Sequence, residues 1–77
     1  MCRNIKPLFN FDPPSTHEEL RNASMQFVRK LSGFAHPSKA NEPAFEVAID
    51  EITRAASRLI HSLHTNAPAR NREEVAT

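Results

Sequence analysis

The 77-residue chain has no tryptophan or tyrosine, and cysteine and glycine each occur once, as Cys2 and Gly33. One glycine cannot build a glycine-rich phosphate loop, and one cysteine cannot close a disulfide within the chain. No tryptophan or tyrosine is available to stack on bases. An excess of one charge sign is missing as well. Ten Lys plus Arg against nine Asp plus Glu leave +1, which makes no electrostatic case for nucleic acid or an anionic membrane. No apolar run approaches the length of a transmembrane helix, and the N-terminus has no basic region followed by an apolar run and a cleavage site. A soluble, cytoplasmic protein is the expectation. Asn22-Ala23-Ser24 matches a glycosylation acceptor and, without a secretory signal, reads as a chance match inside a helix.

What is present is helical periodicity. From Asn41 to His64, the residues Phe45, Ala48, Ile49, Ile52, Ala56, Leu59, Ile60 and Leu63 recur at three- and four-residue steps, along a helix of about six turns. Asp50, Arg54, Ser57, Arg58 and His61 occupy the other face, so the helix is amphipathic and needs a partner. A shorter helix precedes it over residues 16–32. Ser15 or Thr16 can cap it, with Glu18 or Glu19 three residues later completing a capping box. Leu20, Ala23, Phe27, Val28 and Leu31 carry its stripe to Ser32-Gly33, a left-handed stop. His36-Pro37-Ser38 then turns the chain, Asn41 is the expected cap of the long helix, and Pro43 falls in its first turn.

Residues 1–14 have neither a helical period nor turn glycines. Pro7, Pro13 and Pro14 keep them extended, while Ile5, Leu8, Phe9 and Phe11 are too apolar for a solvated tail. This arm is expected to lie across the helices, its aromatic groups covering the part of the long helix that the shorter one cannot reach. After His64 the composition becomes polar, so residues 65–77 read as a flexible tail. The expected fold is therefore all-α: one domain over residues 1–64, an antiparallel two-helix hairpin with an extended apolar N-terminal arm packed across it, and a disordered C-terminal tail. Its core is thin for a chain of this length, and a second copy, another protein or a metal is a natural source of extra stability.

At Met1-Cys2-Arg3-Asn4-Ile5-Lys6, then Leu8-Phe9-Asn10-Phe11 and Pro14, the chain resembles domain-of-unknown-function family 2277, a set of small bacterial proteins. Phe27-Val28-Arg29-Lys30-Leu31-Ser32-Gly33-Phe34, Pro37-Ser38-Lys39-Ala40-Asn41-Glu42 and Ala44-Phe45-Glu46 resemble that family's central stretch, so the resemblance runs from Met1 to about Leu63. It implies a bacterial, cytoplasmic, compact helical protein and supplies no activity. Pro43 and the segment after His64 depart from the pattern.

Chemistry has few places to reside. Removal of Met1 would leave the Cys2 thiol beside a free amine, with Arg3 able to lower its pKa. Such a pair can act as a nucleophile with its own base or chelate zinc or another transition metal. The simpler reading is a terminal cysteine with no role. His61 and His64, three apart on the long helix, and His36 in the loop are the candidate metal partners, with His17 a further imidazole. A zinc site needs three or four ligands, and these spacings do not specify one. Interleaved acids and bases, such as Asp50 and Arg54, read as a salt-bridged solvated face. A helix-turn-helix is excluded, because residues 33–40 are too long a turn and contain proline. The expected function is a non-enzymatic interaction or self-association module with no cofactor. Its surface is Ile52, Leu59, Ile60 and Leu63, and its partner is itself or another protein. A thiol or metal site at Cys2 is the alternative.

Overall fold

A computed structural model describes residues 5–71. In chain order they form β1 (Phe11–Asp12), α1 (His17–Ser32), α2 (Glu42–Ser62) and β2 (Arg70–Asn71). The protein is mostly helical, with one small parallel strand pair in which Phe11 faces Arg70 and Asp12 faces Asn71.

Both ends of α1 follow from the residues there. The Glu19 N–H donates to Thr16 Oγ1 at 3.1 Å, and the Thr16 N–H donates to Glu19 Oε1 at 2.9 Å. Of the two possible capping boxes, this is the one that forms, and it satisfies two of the backbone donors that a helix start leaves orphaned. Glu18 and Glu19 in the first turn and Arg29 and Lys30 in the last both complement the helix dipole. Gly33 ends the helix at φ 79°, a left-handed conformation, with its N–H donating to the Arg29 carbonyl at 2.9 Å.

At the start of α2, Asn41 stands at the expected cap position, but its side chain makes no capping bond. Its backbone is already helical, at φ −100° and ψ −7°, and its Nδ2 donates to Ser38 Oγ at 3.2 Å. The Ser38 carbonyl does the initiating work, accepting the Asn41 N–H at 2.9 Å and the Glu42 N–H at 3.0 Å. Pro43 sits in the first turn, where a missing N–H costs nothing. The helix stops at Ser62, two residues before the expected end at His64. Leu63 leaves it in an extended conformation, at φ −75° and ψ 144°.

The early exit lets the chain return to the arm, and Arg70–Asn71, within the segment expected to be a flexible tail, pair with Phe11–Asp12. The Arg70 N–H donates to the Asn10 carbonyl at 2.9 Å. The Asn10 side-chain amide donates to the carbonyls of Ala67 at 3.3 Å and Pro68 at 3.2 Å. Asn10 can do this because it adopts φ 64°, a left-handed conformation that asparagine tolerates better than most residues. Residues 72–77 lie outside the described part of the chain.

The helices pack on each other through a narrow line. Among the described residues, Leu20, Val28 and Ile49 are the buried hydrophobic ones, and Ser24 and Thr53 are buried between members of the same stripes. Each hydroxyl is satisfied within its own helix, Ser24 Oγ donating to the Leu20 carbonyl at 2.9 Å and Thr53 Oγ1 to the Ile49 carbonyl at 2.6 Å. No desolvation penalty is left by either. Of the expected long-helix stripe, Phe45, Ala48, Ile52, Ala56 and Ile60 are half-buried, whereas Leu59 and Leu63 are exposed.

Candidate functional site

The two helices and the arm enclose a recess of about 280 Å³ that opens to solvent. The arm contributes Ile5, Lys6 and Leu8; α1 contributes Leu20, Ala23, Ser24 and Phe27; α2 contributes Ile52, Ala56, Leu59 and Ile60. Periodicity explains why these meet. Leu20, Ala23, Ser24 and Phe27 follow three- and four-residue steps along α1, as do Ile52, Ala56, Leu59 and Ile60 along α2, so each set lies on one helical face.

Three of the four residues expected to form an interaction surface, Ile52, Leu59 and Ile60, line this recess. Leu63, four residues beyond Leu59, stands outside it and is 42% exposed, while Leu59 itself is 56% exposed. Phe27, expected in the core, lines the recess and is 46% exposed. Its register shows why: the buried line of α1 runs through Leu20, Ser24 and Val28 at four-residue steps, and Phe27 lies one position off that line. A stripe of apolar residues alone does not reveal this line, because Ser24 is polar. The arm's aromatic groups do not line the recess, contrary to expectation. Phe11 instead lies beneath the Arg70 guanidinium, whose carbon is 5.4 Å from the ring centroid.

Elsewhere between the helices, Arg21 of α1 reaches two carboxylates of α2. Its guanidinium donates to Asp50 Oδ1 at 2.8 Å and to Glu46 Oε2 at 2.7 Å. Hydrogen bonding to Asp50 and then to Glu46 raises the Arg21 pKa above its ordinary value. The group is charged at every physiological pH, and it ties both carboxylates to the partner helix.

The candidate metal partners are not gathered. His61 Nδ1 lies 2.7 Å from the Ser57 carbonyl, which places the ring proton on Nδ1 in the neutral imidazole. His64 lies beyond the end of α2, so the three-residue helical spacing expected to align it with His61 does not apply. His36 is exposed in the loop and His17 is exposed at the first position of α1. No group of three or more His, Cys, Asp or Glu side chains able to hold a metal occurs among the described residues. Cys2 and Arg3 lie outside them. Ser24, the third residue of the glycosylation match, is buried in α1. No helix is long and apolar enough to cross a membrane among the described residues.

A family model described as "Uncharacterized conserved protein (DUF2277)" matches residues 1–77, the whole length of the chain. The chain belongs to this family. No curated protein and no solved structure matches it. Membership in DUF2277 agrees with the family resemblance and carries no activity with it, and the match extends past Leu63 through the segment expected to depart from the pattern.

Proposed function

We propose that the protein is a non-enzymatic helical interaction module whose recess is buried by a second copy of the same chain. The observation that carries this reading is the exposure of Phe27, Leu59 and Leu63 around an apolar recess, where the buried hydrophobic residues among those described are Leu20, Val28 and Ile49. A core this thin gains most from association. Two chains that each carry a helix pair with one open apolar face can close into a four-helix bundle by a twofold axis. With a net charge of +1, copies do not repel each other strongly. A stable interface of this kind buries at least about 1,200 Å² in total.

Sedimentation of wild type and Leu63→Asp at micromolar concentration tests the reading. The wild type is expected to sediment as a dimer, and Leu63→Asp to shift the population to monomer while its far-ultraviolet circular dichroism stays helical. A wild type that remains a cooperatively folded monomer throughout the concentration series overturns the reading.

A second reading, a thiol or transition-metal site at Cys2 and Arg3, is favoured by one observation. Ile5, three residues along the chain from Cys2, lines the recess, so the described part of the arm is in contact with the helices from Ile5 onward. Native mass spectrometry and pH-dependent alkylation test it. Retained Met1, no bound metal and an alkylation midpoint near roughly 8.5, the ordinary thiol value, would remove Cys2 from consideration.

A further inference from the structure

We propose that the Asn10, Phe11 and Arg70 contacts form a reversible latch, through which the segment after α2 sets how firmly the arm is held over the recess. The proposal rests on the reading of the recess as the docking face. The arm has two functional halves on either side of Asn10: Ile5 and Leu8 line the recess, and Phe11–Asp12 pair with Arg70–Asn71. Asn10 is the pivot between them. Its left-handed backbone redirects the chain, its carbonyl accepts the Arg70 N–H, and its side-chain amide reaches Ala67 and Pro68.

The balance of forces suits a switch better than a permanent clamp. All residues from His61 to Asn71 are exposed, and none of them lines the recess. The hydrogen bonds that Asn10 makes to Ala67, Pro68 and Arg70 and the stacking of Arg70 on Phe11 are therefore solvent-accessible contacts, each of small net worth in water. Against them stands the entropy of closing a loop that spans most of the chain. Terms of opposite sign and similar size leave open and closed forms close in free energy, so a modest change at the latch shifts the population. When the latch opens, Ile5 and Leu8 lose their tether, and a partner chain can displace them from the helices.

The test uses the full chain carrying Asn10→Gly and Arg70→Pro. Glycine keeps the left-handed backbone but removes the amide, and proline removes the Arg70 N–H together with the guanidinium. In wild type, methyl cross-peaks are expected from Ile5 and Leu8 to Ile52, Leu59 and Ile60 in nuclear Overhauser spectra. Their loss in the variant, with helical circular dichroism retained and dimer forming at lower concentration, supports the latch. Loss of the cross-peaks with no change in mass also supports it, and counts instead against the recess as a docking face. Retained cross-peaks in a helical variant overturn the latch whatever the mass. Should the double variant lose its helices, Arg70→Ala gives the same reading, because it keeps the backbone bond and removes only the stacking. Weakened cross-peaks then support the latch and unchanged ones overturn it.

Discussion

Thr16 and Asn41 stand before the two helices in equivalent sequence positions, but only Thr16 caps through its side chain. Thr16→Ala is expected to cost about 1 kcal/mol, whereas Asn41→Ala should fall within about 0.5 kcal/mol of wild type, since α2 is started by the Ser38 carbonyl, which survives the change. Urea denaturation of both variants checks the contrast. Gly33→Ala has open space for its methyl group but must hold φ 79°, so a loss of about 1–2 kcal/mol is expected in the same assay. Arg21 has the opposite character, being held by polar partners. Because its pKa is raised, its contribution is fully present below the ordinary arginine value and is lost only as pH rises through the still higher folded value. Deprotonation of Arg21 therefore does not limit stability at working pH. Added salt is the better probe. The thermal midpoint of wild type is expected to fall with salt more than that of Arg21→Met, and equal salt sensitivity would show the two ion pairs to be inert. The capping box and the glycine stop could be read from residue type and spacing. The failure of Asn41 to cap could not, because it depends on where the Ser38 carbonyl points.

At the scale of elements, the periodicity of α2 and the length of α1 were legible because burial of a helical face repeats at the helical step. Two features were not. Ser24 and Thr53 are polar, so a search for apolar stripes passes over them, although they are among the most buried side chains. Their small size and self-satisfied hydroxyls let the helices pack where a larger residue would hold them apart. Thr53→Val should accordingly be mild, while Thr53→Leu is expected to cost about 1–3 kcal/mol by overpacking, measured by chemical denaturation. The return of the chain to β1 was hidden for a different reason. Composition describes residues 65–71 as polar and solvated, which they are. Their pairing comes from backbone groups, the Arg70 N–H and the Ala67 and Pro68 carbonyls, presented to Asn10, and composition says nothing about those.

For the whole molecule, with extents of 45 × 26 × 19 Å, the candidate site was legible in part: Ile52, Leu59 and Ile60 share a face by sequence, whereas the presence of Phe27 and the choice of Ile5 and Leu8 over Phe11 are tertiary facts. If a second copy supplies the missing burial, the thermal midpoint should rise with protein concentration; a midpoint independent of concentration across two decades would leave the monomer to stand on its own small core. The parallel direction of the strand pair also determines how the molecule responds to being pulled. The chain enters β1 and leaves β2 at opposite ends of the pair. Tension between the two termini, once it has peeled off the arm residues ahead of Asn10, must therefore load the pair's bonds together in shear, where antiparallel strands would unzip rung by rung. Since Asn10 and its partners are 57 and 58 residues apart, both helices lie inside the loop those bonds close. In a force spectrometer they should bear no load until that contact yields.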